Sequence, residues 1–232
     1  MAMRPEGLRT AAQALSYWER RQQVVAHNLA NADTTGFKGE RVFARLVADS
    51  ILAAEARTDL RPGVLKPTGA PLDLALEGAG FFVVRTPAGE RLVRGGSMQL
   101  DGEGRLVDAA GNPVLGENGP IVLPPGRIEI DLQGTIRVDG LEVDRLRVED
   151  LPLGVDPTRE EAGRYLPPPD RTPLPPEERR VRQGYLEESN VQAVEALVEM
   201  ITVQRSFAAV HNTVRVIDGV LGTIANDLAR VS

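Results

Sequence analysis

The sequence predicts a mixed α and β fold: a central all-β domain with long N- and C-terminal α-helices pairing as a coiled coil. Three observations carry this reading. Both ends have apolar residues at helical spacing, the middle has short apolar runs cut by glycine-containing turns, and a proline-dense stretch separates the middle from the C-terminal end.

In the first segment, residues 1–36, Leu8, Ala11, Leu15, Trp18, Gln22, Val25 and Leu29 step by threes and fours, and only Gln22 breaks the apolar stripe. Pro5 suits a helix start, and the turn formers Asn31-Ala32-Asp33-Thr34-Thr35-Gly36 should stop the helix. Residues 37–70 carry weaker signals and are expected to be a mixed connector, with Phe37, Val42, Phe43, Leu46 and Val47 permitting another helical turn or two.

Residues 71–150 read as the all-β domain. Its apolar runs are Leu72–Leu76, Gly80–Arg85, Met98–Leu100, Arg105–Val107, Ile128–Leu132 and Thr135–Val138, separated by turn signals such as Pro87-Ala88-Gly89, Gly111-Asn112-Pro113 and Asp139-Gly140. Residues 151–183 contain Pro167-Pro168-Pro169, Pro173, Pro175 and Pro176, too many residues without an amide donor for a sheet interior, and are expected to be an extended linker.

The last segment, 184–232, is expected to hold a helix over about 190–230, opened by a Ser189-x-x-Gln192 capping box. Met200, Val203, Phe207, Val210, Val214, Ile217, Leu221, Ile224, Leu228 and Val231 alternate steps of three and four, which is a sustained heptad seam. Such a seam needs a partner, because each large apolar side chain left in water forfeits roughly 1.5–3 kcal/mol. The N-terminal stripe is the obvious cover, but it is shorter, so copies of the same chain should cover the rest.

Composition narrows the function. The 232 residues carry 27 Lys and Arg against 33 Asp and Glu, a net charge of −6, and no concentrated basic run, so no nucleic-acid footprint is expected. The absence of cysteine excludes disulfides, thiol nucleophiles and thiolate metal sites. The N-terminus has no apolar h-region, and no apolar run reaches the ~18–20 residues of a membrane span, so neither a cleaved leader nor membrane insertion is expected.

No catalytic constellation emerges, and no cofactor or metal is expected. His27 and His211 lack ligand-spaced neighbours. Gly78-Ala79-Gly80 is followed by the strand Phe81-Phe82-Val83-Val84, where a phosphate-binding turn needs a helix, so these glycines read as a tight turn or bulge. Gly95–Gln99 lacks the second glycine of a nucleophile elbow, and Asp101-Gly102-Glu103-Gly104 lacks the later ligands of a calcium loop.

The string Asn28-Leu29-Ala30-Asn31-Ala32-Asp33-Thr34-Thr35-Gly36-Phe37-Lys38 resembles the N-terminal signature of the flagellar rod and hook proteins, departing from it at Thr35, where proline is common. Gly184-Tyr185-Leu186-Glu187-Glu188-Ser189-Asn190-Val191, followed by Glu195–Ile201 and Gln204–Phe207, resembles the closing motif of the same family. The run Pro71–Val84 resembles the entry strand of its β domain, so the likeness covers nearly the whole chain. Within the family, the short length and the string Gly111–Ile121 are more similar to proximal than to distal rod subunits, and hook subunits usually carry extra outer domains.

The resemblance implies a structural subunit, not an enzyme, of a tubular axial polymer with the terminal helices inside and the β domain outside. It implies as partners copies of the chain, other axial rod and hook proteins and the flagellar export apparatus, and as location the basal-body rod, reached by type III export without a cleaved signal. The assembly residues it points to are Asn28, Leu29, Asn31, Gly36, Phe37, Ser189, Asn190 and Val191, joined by the seam from Met200 to Leu228. A reading of another class is a secreted β-domain binding module tethered by its helices.

Overall fold

The computed structural model describes residues 6–47, 50–152, 154–160 and 163–231; Pro5 falls outside them, as do the side chains of Leu8, Leu221, Ile224, Leu228 and Val231. The chain divides into two compact units, one of residues 1–30, 40–57 and 192–232 and one of residues 31–39 and 58–191.

The first unit is built on helix α1, Glu6–Ala30, and helix α2, Ala193–Val231. They pack side against side. Val24 and Val25 are buried on α1, and Ala196 and Val203 on α2. Along α2, Met200, Phe207, Val210, Val214 and Ile217 are half-buried while most residues between them are exposed. The 39 residues of α2 against 25 in α1 make it longer by about 20 Å at ~1.5 Å per residue.

Two strands, Glu40–Val47 and Ser50–Thr58, pair as a two-stranded sheet in the stretch that the sequence leaves as a mixed connector permitting a helical turn or two. The apolar residues there fit either period over so short a run. What holds Glu40 extended is the Asn28 side chain, which donates to the Glu40 carbonyl (2.8 Å) and accepts from its amide (2.9 Å), as a neighbouring strand would.

The second unit is a β-rich body. A four-stranded antiparallel sheet runs in the order Thr172–Pro173, Val148–Asp150, Phe81–Thr86, Gly89–Val93. Three-stranded sheets join Val181–Gln183, Asp73–Leu76 and Gly95–Ser97, and Ile128–Ile130, Thr135–Val138 and Leu141–Arg145. In the latter, Asp139 (φ 51°) and Gly140 (φ 82°) form a two-residue hairpin turn whose positive φ values match the right-handed strand twist.

The strand Phe81–Thr86 organises the core. Successive side chains point to opposite faces, so Phe82 and Val84 enter the main cluster with Leu74, Leu106, Ile121 and Ile136, while Phe81 and Val83 join Leu92, Leu115 and Tyr165. At the entry to this strand, Gly80 has φ 103°, and a Cβ there would lie 2.8 Å from the Val148 side chain, so both dihedral and space require glycine.

The proline-dense stretch is not a free linker but part of this unit. Tyr165 is fully buried, packs edge-on to Phe81 at 5.5 Å, and exchanges two 2.9 Å backbone hydrogen bonds with Leu92. Thr172–Pro173 lies at a sheet edge, where proline's missing donor costs no ladder bond. Arg171 and Arg147 clasp Glu90 and the buried Glu149 in a four-charge network, with Arg171 and Arg147 at 2.7 and 3.0 Å from Glu90. Proline content argued for a linker, but the aromatic and charged residues between the prolines supply the packing.

Candidate functional site

In the second unit the two terminal motifs meet. After α1, Asn31 accepts from the Thr34 amide through its carbonyl (3.0 Å), and Gly36 turns the chain at φ 68°, a left-handed value that glycine adopts without strain. The Gly36 amide donates to the Glu187 carbonyl (2.7 Å), and the Asn190 amide to the Phe37 carbonyl (3.3 Å). Asn190 also accepts from the Gly39 amide (2.7 Å) and donates to the carbonyls of Asp59 (2.7 Å) and Arg61 (2.9 Å), so its whole side-chain amide is used.

Phe37 is buried beneath the Arg159 guanidinium, whose carbon lies 4.4 Å from the ring centroid, a cation-π distance. Arg159 also donates to the Lys38 carbonyl. Ser189 does not start the helix as expected. Its hydroxyl accepts from the Val191 amide two residues on (3.1 Å), Tyr185–Glu187 is a strand paired with Leu65–Pro67, and α2 begins only at Ala193, where the Gln192 carbonyl accepts from Ala196. A capping box and a local turn use the same hydroxyl, and here the turn wins.

Sequence reasoning missed the charges at the centre of this cluster. Glu187, 1% exposed, accepts from Lys38 Nζ at 2.5 Å and from Arg94 Nε at 3.0 Å, with Lys38 0% and Arg94 3% exposed. The same carboxylate takes the Gly63 amide at 2.7 Å. The remaining Arg94 donors go to the carbonyls of Gly80, Gly78 and Leu76, and Lys38 also donates to the Arg61 carbonyl. Burial pushes the Lys38 ammonium below its usual value, the Arg94 charge adds to this, and Glu187 opposes it. The only advance signal was that Lys38 and Glu187 stand inside the two motif strings.

In the first unit, Asn28 holds Glu40 and Leu29 is half-buried near the end of α1. Arg21 bridges α1 to α2 through Glu199 (2.7 and 3.0 Å). Beside the seam, α2 carries a second apolar row, three of whose members lie in the closing-motif string though the sequence did not mark them as a row: Val194 (75% exposed), Leu197 (51%), Val198 (60%) and Ile201 (47%), at spacings of three and four.

Among the described residues, no group of three His, Asp or Glu side chains could hold a metal ion, and no helix is long and apolar enough to cross a membrane. The cleft beside Gly95 and Gly96 has one carboxylate in its lining, Asp108, and Asn112 donates to both of its oxygens.

These features define a scaffold whose polar motif residues organise the chain itself. Three family models match it: one described as "Flagella basal body rod protein" over residues 8–38, one as "Flagellar hook protein FlgE/F/G D1 domain" over 75–138, and one as "Flagellar basal body rod FlgEFG protein C-terminal" over 182–228. The chain is 34% identical to the flagellar basal-body rod protein FlgF of Escherichia coli K12, over 96% of this chain and 98% of that one. It is 30% identical to FlgF of Rhizobium meliloti, over 93% of this chain and 94% of that one. Its identity to the rod protein FlgG of Buchnera aphidicola (subsp. Schizaphis graminum) is 30%, over 85% and 90%. The chain belongs to the flagellar basal-body rod protein family.

Proposed function

We infer that this chain is a structural subunit of the flagellar basal-body rod, of the FlgF type, and not an enzyme. It joins copies of itself and other axial proteins through its terminal helices, which pair as a coiled coil along the seam from Met200 to Leu228. The similarity to FlgF chains over almost the full length supports the FlgF type over FlgG. The same kinship supports location in the basal body, and passage through the flagellar export apparatus is the route this reading adds.

The observation that carries the assembly reading is the row Val194, Leu197, Val198 and Ile201, exposed beside the seam on a helix whose other face already has a partner. Covering such a row stabilises an assembly by roughly 1.5–3 kcal/mol for each fully buried large side chain. A helix of a neighbouring subunit is the cover that matches it. The motif residues Asn28, Leu29, Asn31, Gly36, Phe37, Ser189, Asn190 and Val191 then serve assembly from inside, by fixing the chain where the helices begin and end.

The test is sedimentation of the full chain across concentration, beside the double variant Leu197→Asp/Val198→Asp. Concentration-dependent polymerisation that the variant loses, with unchanged circular dichroism, is the expected result. Equal polymerisation by both would overturn the role of this row, and a monomeric wild type at all concentrations would favour a tethered binding module.

A further inference from the structure

We propose that residues 35–39 and 185–190 dock on the β-rich body as one cooperative latch, keyed by the Glu187 carboxylate, so that release of 185–190 unseats 35–39 and release of 35–39 loosens 185–190 to a smaller degree. Three stretches are braided there. Residues 36–39 bond to 187–190 through Gly36, Lys38 and Gly39, and to 59–61 through the Lys38 ammonium and the Gly39 carbonyl, which accepts from the Asp59 amide at 2.7 Å. Residues 187–190 bond to 59–63 through Asn190 and through the Gly63 amide.

Charge couples the two segments, and unequally. Lys38 and Arg94 are two buried cations sharing the buried Glu187 carboxylate, with Asp59 a further carboxylate near Lys38 and itself ion-paired with Arg61 at 2.6 Å. If 185–190 lifts away, both cations lose that anion while still out of water, a state far costlier than an unmade surface pair. Lys38 must then leave as well, taking 35–39 with it. If 35–39 lifts first, Glu187 keeps Arg94 and the Gly63 amide, so that loss is milder. The latch is therefore asymmetric, with Glu187 the more critical member.

Lys38 and Glu187 are 149 positions apart. The latch can close only when residue 187 is present, so in a chain arriving N-terminus first its contacts form only after most of the length has followed.

Amide hydrogen exchange on the full chain tests this at positions away from each substitution. In Glu187→Gln, the Gly39 and Asn190 amides, which do not touch that carboxylate, should exchange faster by about tenfold or more. In Asn190→Ala, the Gly36 and Gly63 amides, bonded to Glu187, should accelerate by a common factor, and Lys38→Met should have the smallest effect. The Leu92 amide, bonded to the Tyr165 carbonyl inside the body, should not change. Should Glu187→Gln fail to fold, the Asn190→Ala and Lys38→Met chains decide alone. Acceleration confined to amides that bond the altered side chain, or shared equally by Leu92, would overturn the proposal.

Discussion

Replacing Asn28 tests how the end of α1 is tied to the strand that follows. The Asn28 amide makes two well-formed bonds to one residue, at 2.8 Å to the Glu40 carbonyl and 2.9 Å from its amide. A neutral hydrogen bond contributes about 0.5–1.5 kcal/mol net, and water can reach this partly buried site, so Asn28→Ala should cost about 1–2 kcal/mol. That corresponds to roughly 5–30-fold faster exchange of the Glu40 amide, the local observable. Asn28→Asp sharpens the test. The carboxylate keeps the acceptor but turns an oxygen toward the Glu40 carbonyl, and it places negative charge near the C-terminal end of a helix, where about 0.3–1 kcal/mol more is lost. Asn28→Asp should therefore be at least as damaging as Asn28→Ala in urea unfolding followed by circular dichroism. An Asn28→Asp chain as stable as wild type, or an unchanged Glu40 amide in Asn28→Ala, would refute the reasoning.

Val203 is fully buried on α2, so Val203→Asp should lower stability by on the order of 3–5 kcal/mol, read as lost helicity on mild heating. Gly36→Ala should cost about 1–2 kcal/mol from the left-handed φ alone, because its Cβ would meet Arg94 only at an ordinary 3.6 Å; Gly36→Asn should cost less, and urea midpoints separate the two. Although burial opposes it, the bonds and charges of Arg147 and Arg171 hold the Glu90 carboxyl below its usual range. Its stabilisation is then complete above an ordinary carboxyl value of about 4.3 and is lost as pH falls through the lower folded-state value. Glu90→Gln should be less stable than wild type at neutral pH and converge with it as pH falls below the folded-state value, measured by urea unfolding across the acid range.

The helices and the central strands were legible because each signal is local. The stepping from Ala11 to Leu29, the seam from Met200 to Ile217, the run Phe81–Val84 and the turn Asp139-Gly140 are read within a few residues and need no knowledge of what packs on them. The features that were not legible depend on distant partners. Residues 40–47 became a strand beside Asn28, Tyr185–Glu187 a strand because Leu65–Pro67 offers it an edge, and the proline-dense stretch became part of the body through Tyr165 and Arg171. The Lys38–Glu187 pair has no spacing signal, since its members are joined only by the folded chain.

Motif identity and motif role came apart for a physical reason. Asn28, Gly36 and Asn190 stand out in the sequence, and all three are engaged in hydrogen bonds within their own unit. A side-chain amide with its donors and acceptor used in this way has little left for a neighbouring subunit. The apolar row on α2 is the reverse: Val194, Leu197, Val198 and Ile201 are unremarkable as residue types, three of them inside the closing-motif string, yet they are among the apolar residues the folded helix leaves exposed, with Val216 and Val220. On this reading a substitution at the hydrogen-bonded motif residues Asn28, Gly36 and Asn190 acts on assembly through the fold, changing stability and polymerisation together. A substitution in the row changes polymerisation alone, and measuring both quantities on the same variants separates the two kinds of residue.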